Sequence, residues 1–172
     1  PNPELHLRTD CDVSGAHSMN HDSRLIELRL SLPPLPKPGG IYQPVVVLNH
    51  VAYVSGTGPS RADGSYITGR VGADLSLAEG RAAARQVGLT ILAVLQANLG
   101  GLNRVKRLVK SLGMVNATPD FSQHPQVING YSELMAEVFG PEAGVGARSA
   151  VGMVSLPGNI AVEIEAIFEL HP

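Results

Sequence analysis

The chain has 172 residues, a net charge of −2 and a hydrophobic content of 44%. This length fits one domain, and the apolar fraction is sufficient for a sizeable core, which excludes a wholly disordered chain. No basic run of the kind found in nucleic-acid-binding proteins is present, and no apolar stretch reaches the ~18 residues of a membrane span.

Residues 1–23 are polar and lack hydrophobic periodicity, so we expect this N-terminal tail to be disordered or loosely ordered. The tail lacks the apolar core of a signal peptide, and the single Cys11 has no partner for an intramolecular disulfide. Cys11, His17 and His21 do not complete a set of metal ligands, so no metal site is expected. We therefore predict a cytoplasmic protein with one domain over residues 24–172.

A short apolar stretch over residues 25–30 favours a helix that ends before the proline-rich segment 33–38. Two β-branched runs follow, over residues 45–48 and 51–54, and Asn49-His50 separates them. Two strands joined by two turn-forming residues are typical of a tight β-hairpin.

Two longer helices are predicted in the rest of the chain. The first begins after Ser76, because Ser76 and Glu79 can form a capping box, and it ends at Gly100-Gly101. The second runs from about residue 125 to residue 138 and has proline in its first turn. Strands are predicted over residues 105–115, 149–154 and 161–170, and glutamates alternate with apolar residues in the last of them.

The resulting order of elements is β-β-(β)-α-β-α-β-β, where the bracketed strand would lie between the hairpin and the first long helix. This order predicts an α+β fold with one mixed sheet and two helices packed on one face. The other face of the sheet then needs cover, and apolar residues on it would favour self-association into a closed ring.

Two stretches of the chain resemble the Rid/YjgF family, the reactive intermediate deaminases that are also called L-PSP endoribonuclease-like proteins. One stretch is Gly40-Ile-Tyr-Gln-Pro-Val-Val-Val-Leu-Asn49, followed by Val51-Ala-Tyr-Val-Ser-Gly56; the other runs from Ala147 to Ile167. The resemblance covers roughly residues 40–170. It implies a bacillus-type chorismate-mutase-like fold that assembles as a homotrimer, with sites between subunits. The segment Thr68–Ser76 resembles a branch of the family whose physiological role is poorly defined.

In active members of the family, an arginine of the penultimate strand binds the carboxylate of a 2-imino acid or enamine. Water then attacks the imine carbon, and ammonia and a 2-keto acid are released without a metal or an organic cofactor. The resemblance therefore implies an enamine/imine deaminase that acts on small 2-imino acids at intersubunit clefts. The implied partners are a small carboxylate-bearing ligand and further copies of the same chain.

Arg148 and Glu163 are the candidate catalytic residues that the resemblance implies. The planar guanidinium of Arg148 can donate two parallel hydrogen bonds to a carboxylate, and its alternative role is an ion pair with Glu163 or contact with solvent. Glu163 matches the acidic residue that holds the attacking water in the family. The alternative for Glu163 is a solvated position, because Glu165 and Glu169 share its face of the strand.

Tyr42, Ser55 and Asn129, together with Arg148, are the candidate substrate-binding residues. The ring of Tyr42 can line the apolar side of a pocket, although a tyrosine here can also only cover the first strand. No His–Asp pair that would activate Ser55 is evident, so we expect Ser55 to donate a hydrogen bond and not to act as a nucleophile. Asn129 matches a pocket asparagine on the second long helix and is otherwise a surface residue. Many relatives carry cysteine where this chain has Ala150.

Other functions are compatible with the same sequence. The main alternative is a non-catalytic trimeric module that binds a small carboxylate metabolite in the same pocket. Cleavage of RNA, an activity attributed to some relatives, is less favoured because the chain has few aromatic residues and no basic stripe. Chorismate mutase chemistry is suggested only by the fold, which is a weak guide to function.

Overall fold

A computed structural model describes residues 20–172 of the chain. This part contains three α-helices and five β-strands, which are joined by turns and two short 3-10 helices. The helices are α1 (His21–Glu27), α2 (Leu77–Leu99) and α3 (His124–Ala143). The strands are β1 (Val45–Leu48), β2 (Val51–Thr57), β3 (Val105–Asn116), β4 (Ala147–Met153) and β5 (Val162–Leu170).

The five strands form one mixed sheet in the order β1-β2-β5-β3-β4. The β3–β4 pair is parallel and the other neighbouring pairs are antiparallel. The predicted α+β fold with one mixed sheet is confirmed. The additional strand predicted between the hairpin and the first long helix is wrong. The segment between β2 and α2 forms only isolated bridges, such as that of Thr68 with Ile160.

The predicted hairpin turn and the predicted ends of α2 are confirmed. Asn49 and His50 both have positive φ, 49° and 61°, and they connect the paired residues Leu48 and Val51, as a two-residue hairpin turn requires. Ser76 caps α2 in a complete capping box, and Gly100 ends the helix at a φ of 77°.

Helix α3 begins near the predicted position and is interrupted close to its predicted end. Gly140 has a φ of 88° and a ψ of 165°, which is not helical, and Pro141 follows it. A proline lacks the amide hydrogen that a continuing helix needs. The chain then makes one more helical turn, which ends at Ala143.

The core lies between one face of the sheet and the pair α2 and α3. The even-numbered residues of β5 point into it, and Val162, Ile164 and Phe168 are fully buried. Each such side chain contributes about 1.5–3 kcal/mol through removal of apolar surface from water. The alternation in β5 is therefore what fixes which face of the sheet receives the helices.

The opposite face of the sheet is not covered by any element of residues 20–172. Strand register aligns Val46, Tyr53 and Ile167 in one row across it, and Glu163, Met114 and Val151 in another. Val46 is 51% exposed, Tyr53 44% and Val151 39%. We call this surface the open face; it is the apolar second face that the sequence predicted.

Residues 20–23, which the sequence assigned to the N-terminal tail, are instead part of the folded structure. Asn20 caps α1 through the amide of Ser23, and the carboxylate of Asp22 accepts a hydrogen bond of 3.0 Å from the amide of Leu102. His21 is 7% exposed and packs edge-on against Phe139. The rest of the predicted tail, residues 1–19 with Cys11 and His17, lies outside the described residues.

Two further observations concern the described residues 20–172. No helix within this range combines the length and the hydrophobicity that a membrane span requires. No group of three or more histidine, cysteine, aspartate or glutamate side chains in this range could hold a metal ion.

Candidate functional site

One cavity of about 740 Å³ brings together three of the residues singled out in the sequence, Tyr42, Ser55 and Glu163. It lies beside the end of β2, under the proline-rich segment that precedes β1. The Tyr42 hydroxyl accepts a hydrogen bond of 3.3 Å from the amide of Gly39, which fixes the segment over the cavity. The Ser55 hydroxyl donates to the carbonyl of Gln43 at 2.7 Å. Because that bond uses the hydroxyl proton, Ser55 is placed to accept a hydrogen bond from a ligand.

A bulge in β2 makes room for the carboxylate of Glu163. The pairing of β2 with β5 shifts register between Val54 and Thr57, and Gly56 lies inside this irregular stretch. A Cβ atom at residue 56 would overlap Oε1 of Glu163 and would lie 3.1 Å from its Cδ. The absence of a side chain at Gly56 is therefore what allows the carboxylate to sit against the strand.

The environment of Glu163 raises the pKa of its carboxyl group. Partial burial raises the pKa of the Glu163 carboxyl above its ordinary value, and the negative charge of Glu165 on the same face raises it further. A carboxyl group with a raised pKa can take up and release protons nearer to neutral pH. Of the alternatives weighed for Glu163, a fully solvated position does not describe a half-buried side chain in a cavity wall.

Arg148 and Asn129 lie together, but away from this cavity. Arg148 is in the edge strand β4, and its side chain extends to the helix side of the sheet. There Nη1 donates to Oδ1 of Asn129 at 2.9 Å and to Oγ of Ser132 at 3.0 Å. Asn129 and Ser132 are three residues apart, so both face the same side of α3. That spacing was the only sequence signal for Ser132, which was not predicted.

Both hydrogen bonds of Arg148 use one nitrogen of its guanidinium. Within residues 20–172, Nε and Nη2 have no hydrogen bond or ion pair. An ion pair with Glu163 of the same chain, the alternative considered for Arg148, does not form. Register explains this: Arg148 pairs with Ser111 on the helix side of β3, whereas Glu163 pairs with Met114 on the open face.

The candidate residues therefore form two groups on opposite sides of the sheet. Tyr42, Ser55 and Glu163 line the cavity, which we call the cavity half, and Arg148 with Asn129 forms the arginine half. The cavity half belongs to the β1–β2 side, whereas β4 is the opposite edge strand. Further lining residues were not singled out as site residues from the sequence. Gly56 belongs to β2, and the others stand outside the five strands in segments without periodicity; they include Tyr66, Thr68, Pro157 and Ile160.

Comparison with known proteins agrees with this arrangement of elements. A family model described as "YjgF/chorismate_mutase-like, putative endoribonuclease" matches residues 22–168. The chain belongs to this family. The YjgF-family chain is also 42% identical to protein TCP17 of Trypanosoma cruzi over 149 residues, which are 87% of this chain and 93% of TCP17.

Solved structures extend the comparison of this YjgF-family chain. The protein Atu1372 of Agrobacterium tumefaciens, a protein of unknown function, superposes with a TM-score of 0.79 at 40% identity, over 90% of this chain and 96% of Atu1372. RidA of the Antarctic bacterium Psychrobacter sp. superposes with a TM-score of 0.56 at 25% identity, over 79% and 94% of the two chains.

Small residues follow Arg148 along β4. Ala150 pairs with Gly113 and packs against the core on the helix side. Two residues later, a Cβ atom at Gly152 would overlap Nε2 of His124, at the beginning of α3. The surface next to Arg148 is therefore formed by small side chains and has no thiol.

Proposed function

We propose that this YjgF-family protein is an enamine/imine deaminase that hydrolyses 2-imino acids to 2-keto acids and ammonia. The observation that supports the proposal is that the Arg148 guanidinium uses only one of its nitrogens for hydrogen bonds within residues 20–172. Asn129 and Ser132 hold Nη1 in place, whereas Nε and Nη2 are available to donate two parallel hydrogen bonds. This is the geometry with which arginine binds a carboxylate.

A second copy of the chain completes the site in this proposal. One chain cannot bring Arg148 to Glu163, because the two side chains lie on opposite faces of the sheet. The open face, with Val46, Tyr53 and Val151 partly exposed, supplies apolar surface that an assembly would cover. A homotrimer places the arginine half of one copy against the cavity half of the next, and such a heterologous contact closes into a ring.

The chemistry follows from the properties of the two halves. Arg148 binds the substrate carboxylate and leaves the imine carbon exposed to water. The Glu163 carboxylate takes a proton from the attacking water as the C–O bond forms and passes it to the imine nitrogen. The proton of the new hydroxyl is then transferred to the same nitrogen, so that the keto C=O bond forms as the C–N bond breaks and ammonia leaves. One imine and one water yield one keto acid and one ammonia, so no oxidant or cofactor is consumed.

The first test is the release of 2-keto acid from 2-imino acids generated in situ by an amino-acid oxidase. We expect a rate above the spontaneous background for the natural chain. Arg148→Ala should lower kcat/KM by at least about 100-fold, because two charge-assisted hydrogen bonds are lost. Arg107→Ala is the matched control, since Arg107 is an exposed arginine of β3. Equal rates for natural chain and background would refute the deaminase.

A second test addresses the assembly. Arg148→Ala and Glu163→Gln chains should each be inactive alone, but trimers co-assembled from equal amounts should recover up to about a quarter of the natural activity. The reason is that about one interface in four then combines an intact Arg148 with an intact Glu163. If the mixture stays inactive although mixed trimers form, the site is not shared between subunits.

A non-catalytic carboxylate-binding module is the second candidate, and the cavity half gives it one supporting observation. The Ser55 hydroxyl proton is engaged by the carbonyl of Gln43, so this hydroxyl can hold a ligand in the cavity but is not free to transfer its proton. Calorimetric binding of pyruvate that is lost in Arg148→Ala, without turnover of any imine, would favour this candidate.

A further inference from the structure

The lining of the cavity half indicates what kind of side chain the substrate carries. The cavity is about 740 Å³, within the range of about 300–1,000 Å³ that encloses drug-sized ligands. A three-carbon imino acid would contact only part of this lining. We infer that the preferred substrates are 2-imino acids with a bulky apolar side chain, branched aliphatic or aromatic, an inference that rests on the deaminase proposed above.

The walls of the cavity are mainly apolar. Two tyrosine rings, Tyr42 and Tyr66, and the side chain of Ile160 line it, together with four prolines, Pro36, Pro38, Pro44 and Pro157. Aromatic rings and prolines present apolar surface that loses little conformational freedom when a ligand binds. These walls favour an apolar ligand group; the polar side chains of the lining are Lys37, Ser55, Thr57, Thr68 and Glu163.

The far wall is already formed in the free chain. The carbonyl of Tyr66 accepts a hydrogen bond of 2.6 Å from Arg61, and Thr68 forms a bridge with Ile160. At Gly58, an added Cβ would lie 3.2 Å from the Tyr66 ring and 3.1 Å from Ile160. The backbone of Gly58 thus lies against both side chains, and no rearrangement is needed to make this wall.

The cavity extends from the Glu163 carboxylate to this far wall. Gly56 touches the Glu163 carboxylate at the bulge of β2, whereas Gly58, just after the strand, touches Tyr66 and Ile160. An imine carbon held next to Glu163 would therefore direct its side chain towards the apolar far wall, where a large apolar group buries more surface than a methyl group does.

The test compares imines generated in situ by an amino-acid oxidase from phenylalanine, leucine and 2-aminobutyrate. We expect kcat/KM for the two bulky imines to exceed that for the small one by at least about tenfold, since even one methylene in an apolar pocket is worth that much. Thr68→Phe, which introduces a ring into the cavity from an exposed position, should lower the rate on the bulky imines more than the rate on the small one. Ala73→Phe is the control, because Ala73 is exposed but does not line the cavity.

The outcomes separate the two proposals. Turnover of the small imine at an equal or higher rate overturns the inference and leaves the deaminase intact. If no imine is turned over, calorimetry with the stable keto acids phenylpyruvate and pyruvate decides. Tighter binding of phenylpyruvate, weakened by Thr68→Phe, supports the inference although the deaminase has failed, and equal binding overturns it.

Discussion

Gly56→Ala is the substitution that tests the position of the Glu163 carboxylate most directly. The new Cβ would overlap Oε1 and would lie 3.1 Å from Cδ and 3.4 Å from Cγ of Glu163. The overlapping atom is the end of a flexible side chain, so the carboxylate moves by an ångström or more while the backbone stays in place. A misplacement of about 1 Å of a reacting group can cost about 100-fold in rate, and we expect that loss in kcat/KM.

The assay measures keto acid release and thermal unfolding of the same preparations. Gly39→Ala is the matched control, because Gly39 also lines the cavity but nothing lies within 4 Å of its added Cβ. We expect the control to retain activity within about twofold, and both variants to unfold within a few degrees of the natural chain. Natural activity in Gly56→Ala would refute the role of the Glu163 carboxylate in its observed position.

Three further predictions concern pairs and single groups elsewhere in the fold. Tyr131→Phe leaves the buried Ser111 hydroxyl without its 3.0 Å partner and should cost about 1–3 kcal/mol in chemical denaturation, whereas adding Ser111→Ala should recover part of the loss. Glu165→Gln removes a charge that raises the pKa of Glu163, so the acidic limb of the pH–rate profile should move to lower pH. Burial lowers the pKa of His21 below its usual 6.5, so its stabilising contribution is present above pH 6.5 and is lost on acidification through its folded-state pKa; pH-dependent unfolding of His21→Leu should lack this loss.

Short-range signals account for the parts of the fold that the sequence predicted. The cap at Ser76, the left-handed stop at Gly100 and the turn at Asn49-His50 each depend on residues within a few positions. The beginning of α1 was missed because its attachment is long-range. Asp22 binds amides of residues 102 and 103, and no pattern in a polar segment indicates that contact.

Part of the candidate site could also be predicted from the sequence. Resemblance singled out Tyr42, Ser55 and Glu163, and all three line one cavity. The role of Gly56 could not be predicted, because it depends on a register shift between strands more than 100 residues apart in the chain. Ser132 was missed for the same physical reason, since its contact with Arg148 depends on how α3 packs on β4.

The division of the site has a consequence for how specificity is set. The arginine half is built by α3 and β4, whereas the far wall of the cavity half is built by the segment around Tyr66 and by the turn before β5. Substitutions at Tyr66 or Thr68 therefore alter the space for the substrate side chain without touching the hydrogen bonds of Arg148. In the proposed deaminase, carboxylate recognition and side-chain selection could therefore vary independently, and chains that share the arginine would not need to share a substrate.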